Sequence, residues 1–159
     1  MLDKENFEYI KNIEDELKKA SMLANLLFED KKDKGGYSYI GHLQFVSNKG
    51  QNEDEKIVGL IHDVIEDTVV SKTILKELGF RDKIVDAVEL LTRKTDDYYE
   101  YIDSIINSNN LLAITVKMYD LSHNMDISRI PNPTDEDYER LDKYKKCYEK
   151  LEEKRNKLC

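Results

Sequence analysis

At 159 residues and 18.7 kDa, the chain has the length of one domain and is too short for two ordinary ones. Its 25 Lys and Arg against 33 Asp and Glu give a formal charge of −8, which argues against a general nucleic-acid binder and against a protein held on anionic membranes. Only 6 Gly and 2 Pro punctuate a chain that is 36% charged, so a turn-rich sandwich or barrel is disfavoured and an all-α fold is expected. Cys147 and Cys159 lie far apart with no CxxC pattern and read as reduced thiols. The start, Met1-Leu2-Asp3-Lys4-Glu5, has no apolar export core, and no segment has the apolar length to span a bilayer. A soluble, cytoplasmic location is expected.

Phe7, Ile10, Ile13, Leu17, Met22, Leu23, Leu26 and Leu27 recur at three- and four-residue intervals and predict one or two amphipathic helices over about 4–31. Lys31 to Gly36 closes that pattern with positive charge and then glycine, and Lys31 and Lys32 are expected to face the helix dipole. A short helix carrying His42 follows, then a helix from Asp54 that runs through the polar cluster His62-Asp63-Val64-Ile65-Glu66-Asp67 to Thr68. Short helices are expected from Val70 to about Leu78, from Asp82 to Thr92 and from Tyr98 to Ile106. Leu111 to Ile127 reads as a buried central helix with a polar stripe of Lys117, Asp120, His123 and Asn124. Thr134 and Asp137 form a capping-box variant ahead of a last helix from about Asp135 to Lys157, with Tyr138, Leu141, Tyr144, Tyr148 and Leu151 as its core face.

The polar cluster carries the chemistry. Helical spacing puts His62, Asp63, Glu66 and Asp67 on one face, where three crowded carboxylates call for a cation or a shared proton. Asp120 is an acid within an apolar helix and needs a partner. Together with His42 these residues offer two imidazoles and two carboxylates, a ligand set suited to Mn²⁺ or Fe²⁺ more than to a thiolate-type zinc site. The chain has 3 His in all, so one ion is expected, with His123 bracing or packing nearby.

The order His, His-Asp, Asp resembles the HD-domain metal phosphohydrolases. The stretch from Leu60 to Thr68 is similar to the HDxxEDT motif of the RelA/SpoT hydrolase domain, and Val116 to Met125 to that family's IKxADRxHNM segment. Leu78-Gly79-Phe80, Val88 to Lys94 and Lys34 to His42 resemble three further blocks, so the likeness runs from about residue 23 to 144.

The resemblance implies a compact helical HD bundle over 1–159 that lacks a nucleotide-synthesising domain. It implies ligation of one divalent ion by His42, His62, Asp63 and Asp120, with Mn²⁺ expected and Fe²⁺, Co²⁺, Ni²⁺ or Zn²⁺ as alternatives. Glu66 and Asp67 would orient or deprotonate the attacking water, Lys34 and Lys117 would neutralise phosphate charge, and Asn124 would sit beside the nucleotide or brace the site; apart from the resemblance, Tyr37 and Tyr39 beside the first ligand are the tyrosines expected to stack a base, Tyr39 as a substrate contact. The implied reaction removes the 3′-pyrophosphate of (p)ppGpp, with a small-molecule nucleotide as partner, no nucleic acid or membrane, and an open oligomeric state. Asp33, Leu43 and Leu121 replace a basic residue, a proline and an arginine of the family pattern. They keep open a phosphatase of another (deoxy)nucleotide and a non-catalytic, metal-containing sensing or partner-binding module.

Overall fold

Helix starts are written into this chain by short polar side chains: Asp3, Asp15, Asn52, Ser71, Asp97, Asn110 and Thr134 each accept a backbone N–H from the first turn of the helix that follows. In the computed structural model, which describes residues 2–159, these caps open an all-α architecture. The helices are α1 (Lys4–Lys11), α2 (Glu16–Phe28), α3 (Tyr39–Lys49), α4 (Glu53–Ile61), α5 (Val64–Asp67), α6 (Lys72–Glu77), α7 (Asp82–Leu91), α8 (Tyr98–Asn107), α9 (Leu111–Asn124) and α10 (Asp135–Leu158). A single 3₁₀ turn, Ile127–Arg129, sits between the last two. No helix among the described residues is long and apolar enough to cross a membrane.

The expected amphipathic run over 4–31 is divided, with a break at Asn12 to Asp15 between α1 and α2. Its apolar positions are not all inside: Ile10 and Leu23 are buried, whereas Met22 is exposed. On α7 the expected face of Ile84, Val85, Val88 and Leu91 is buried, each such side chain contributing about 1.5–3 kcal/mol of burial. The final helix begins with the reciprocal Thr134–Asp137 capping box. Its core face is narrower than the expected stripe, with Cys147 and Leu151 buried and Tyr138 outside.

The central helix is α9. Ala113 through Met118 are all buried, so this stretch is covered on every side, by α3, α4, α7, α8 and α10. It ends at Asn124, three residues before the expected end, and the chain turns into the 3₁₀ segment. Gly59 brings α3 and α4 into backbone contact: a Cβ there would stand 2.8 Å from the amide nitrogen of Ser47. Ser47 Oγ also donates to the Lys56 carbonyl across the same crossing at 2.9 Å. This close approach sets the separation between His42 on α3 and His62 at the end of α4.

Candidate metal centre and adjoining cleft

The sequence expectation of one helix through Thr68 is corrected by the structure. Helix α4 stops at Ile61, His62 caps it, and Asp63 takes φ −97° and ψ 0° before the single turn of α5, a conformation common at functional positions. On an uninterrupted helix, consecutive side chains diverge by about 100°, so adjacent His62 and Asp63 would point apart. The break lets both reach one point. Ligand atoms of His42, His62 and Asp63 lie within 4.8 Å of one another, and Asp63 belongs equally to a second group with Glu66 and Asp67.

His62 is buried, and its Nδ1 lies 2.7 Å from the Gly59 carbonyl, which fixes the N–H there. Its Nε2 is buried with no hydrogen-bond partner among the described residues, 3.3 Å from Asp63 Oδ2 and 3.5 Å from Asp120 Oδ1. An orphaned, buried imidazole nitrogen facing two carboxylates fits a cation ligand. Burial disfavours a charge on His62, but Asp63 and Asp120 outweigh it and push the imidazole pKa up to about 9. The same negative field attracts a metal ion.

Asp120 reaches this point from α9, its Oδ1 2.8 Å from His42 Nε2. Burial works to raise the Asp120 carboxyl, yet the Lys117 ammonium, the hydrogen bond from His42 and the nearby His62 imidazole hold it well below the usual carboxylate range. Lys117 Nζ donates to Asp120 Oδ2 at 2.7 Å and lies 5.1 Å from the centre of the Tyr101 ring. It is therefore buried inside the bundle, partnered by Asp120, instead of lining the cleft where a substrate contact was expected. Asn124 donates to Asp120 Oδ1 at 3.3 Å. Behind His42, His123 Nδ1 lies 2.7 Å from His42 Nδ1. Burial, Arg129 and His42 push the His123 imidazole down to about 4, so it is neutral at neutral pH and braces His42 without adding charge.

The carboxylates of the second group are held from outside. Glu66 Oε1 accepts the Arg93 amide at 2.6 Å; burial, with help from Asp63 and Asp67, raises its carboxyl above the ordinary value despite that bond. Asp67 pairs with Lys31 Nζ at 2.9 Å, and that ammonium lies 4.2 Å from the centre of the Tyr39 ring. The Tyr39 hydroxyl donates to Asp63 Oδ2. Lys31, expected only to end a helix, is thus tied to an acid of the cluster, and Tyr39 touches an expected ligand.

A cleft of about 320 Å³ opens beside the cluster, with His42 forming part of its wall. Lys34, Tyr39 and Asn124 line it as well, and so do Arg129, Arg140 and Tyr144, which sequence reasoning missed. Arg129 lies in a loop with no motif, and Tyr144 falls in a stripe whose spacing points to the core. Burial and the neighbouring Arg140 lower the Lys34 ammonium. Of the three departures from the family pattern, Leu43 and Leu121 are fully buried in the core, while Asp33 lines the cleft.

No protein-family model matches the chain, and no curated protein matches it by sequence. Among solved structures, a metazoan ortholog of SpoT, described as hydrolysing ppGpp and playing a role in starvation responses, superposes with a TM-score of 0.68. The two are 21% identical over 92% of this chain and 94% of that one. The chain, itself all-α, has the fold of that protein.

Proposed function

We propose that this chain is a RelA/SpoT-type HD-domain hydrolase that removes the 3′-pyrophosphate from (p)ppGpp. The observation that carries this reading is the place of His42, which is at once a member of the carboxylate–imidazole cluster and a wall of a cation-lined cleft. An anion in that cleft would lie beside residues able to hold a divalent cation. The fold shared with a protein that hydrolyses ppGpp supports it.

His42, His62, Asp63 and Asp120 would hold the ion, for which Mn²⁺ suits two imidazoles and two carboxylates. When bound, the ion acidifies water and draws charge from a phosphoryl oxygen. The protein's residues do the rest. Glu66, with its raised carboxyl, and Asp67 take the proton of a water whose oxygen attacks the phosphorus attached to the ribose 3′ oxygen. The bond from that phosphorus to the 3′ oxygen breaks, pyrophosphate leaves, and the 3′ oxygen recovers a proton to give GDP or GTP. Lys34 and Arg140 offset phosphate charge, and Tyr39 and Asn124 orient Asp63 and Asp120.

One observation favours a second substrate within the same chemistry: Asp33, which stands where the family pattern has a basic residue, lines the cleft and leaves it one cation fewer, which suits a less highly charged nucleotide. The deciding experiment is elemental analysis of the purified protein, followed by product assays with (p)ppGpp and a panel of nucleotides in Mn²⁺, with Asp63→Ala as control. Release of pyrophosphate from ppGpp by wild type alone supports the proposal. Cleavage of a simple mononucleotide with ppGpp untouched retains the metal hydrolase and replaces its substrate. Metal without any turnover leaves a non-catalytic module.

A further inference from the structure

The loop that carries Lys34 is built to be held. Asp33 Oδ1 accepts the amides of Gly35 and Tyr37 at 2.9 and 3.0 Å, and the backbone closes from Asp33 N to the Tyr37 carbonyl at 2.8 Å. Its outer side is then clasped by one residue. The Arg129 guanidinium donates to Asp33 Oδ2 at 2.5 Å and to the His123 carbonyl at 3.1 Å. The backbones meet as well: a Cβ on Gly35 would stand 2.4 Å from the Arg129 carbonyl oxygen, so only glycine permits this approach. Arg129 therefore joins the loop to the end of α9, whose His123 braces His42.

We propose that Arg129 is a positioning residue for phosphate recognition, holding the Asp33–Tyr37 loop against the end of α9 so that Lys34 stands at a set distance from the His42, His62, Asp63 and Asp120 cluster. The proposal deepens the hydrolase reading and rests on it. Its guanidinium is spent on Asp33 and the His123 carbonyl, which leaves Lys34 as the free cation of the loop. A planar fork spanning two acceptors is a task for arginine that a lysine point charge does not reproduce. Arg129 thus answers the acid at position 33 from the 3₁₀ turn, as a clasp.

The test is a double-mutant cycle on the whole protein, reading KM, kcat, bound metal and amide exchange. Arg129→Ala is expected to raise KM about tenfold, as loss of one charge-assisted contact does, with kcat and metal content within about twofold. Exchange at the Gly35 and Tyr37 amides should quicken. Asp33→Asn, which keeps the loop's internal acceptor but weakens the clasp, should shift KM in the same direction and carries the test if Arg129→Ala does not fold. Because Arg129 acts through Lys34, the Arg129→Ala/Lys34→Ala double variant should match Lys34→Ala alone. Multiplying effects would show that Arg129 touches substrate itself and overturn the proposal, as would an unchanged KM or a loss of metal. If wild type turns over no nucleotide, the hydrolase reading fails on its own. The clasp is then judged by exchange at Gly35 and Tyr37 and by inorganic pyrophosphate binding in the same cycle; unchanged exchange, or binding losses that multiply, overturns it.

Discussion

The metal-cluster side and the cleft side of the candidate site share His42 but are made differently. The cluster is assembled from buried His42 on α3, buried His62 and partly buried Asp63 at the junction of α4 and α5, and buried Asp120 on α9, locked by a glycine-mediated helix crossing and by the Lys117–Asp120 pair. One wall of the cleft is a loop and a 3₁₀ turn joined by the partly exposed Arg129–Asp33 pair. On the proposed function, chemistry that needs fixed geometry would sit among packed helices and recognition where few buried contacts resist change.

The contrast can be broken from the cluster side first. Asp63→Ala or His42→Ala should abolish bound metal and turnover together, seen by elemental analysis and product assay; retained metal would disprove the ligand set. Glu66→Gln should leave metal in place and slow turnover about 10²–10⁴-fold, the range of a general base. Glu66 must be ionised to take a proton and its carboxyl is raised. The wild-type rate should therefore fall as pH drops through a value above the ordinary carboxylate range, and this limb should be absent in Glu66→Gln.

Smaller effects sharpen the comparison. Lys117→Met leaves the Asp120 carboxylate buried without its ammonium, and denaturant unfolding of metal-free protein should show a loss of about 3–5 kcal/mol, partly restored by a divalent ion. On the cleft side, Lys34→Ala should raise KM about tenfold or more while the unfolding midpoint stays near that of wild type. Asn110→Ala, removing the cap of α9, should cost about 1 kcal/mol in the same unfolding measurement without altering KM.

The two regions also differ in how legible they were. The helices follow from periodicity and caps, and the cluster residues sit in motifs whose types and spacing state their chemistry. The break at His62-Asp63 did not show, because no glycine or proline stands at it to mark a helix end. Lys117 was readable as a cation near Asp120, but spacing alone does not say which way an ammonium faces. Arg129 was invisible for a different reason. Its partner is 96 residues away, and such pairing is decided by tertiary packing.

The ends of two helices add something to the site that no side chain supplies. Both α4, capped by His62, and α9, ending at Asn124, finish beside the cluster, and a helix C-terminus carries a partial negative charge. Helix α9 answers part of that charge through the Arg129 bond to the His123 carbonyl; around His62 it adds to Asp63 and Asp120. Since these groups are largely buried, mobile ions screen them little, whereas the cations of the more open cleft are screened over about 8 Å at physiological ionic strength. Retention of the metal should therefore be nearly indifferent to added salt while nucleotide affinity falls with it. Ionic strength becomes a means of addressing one half of the site without the other.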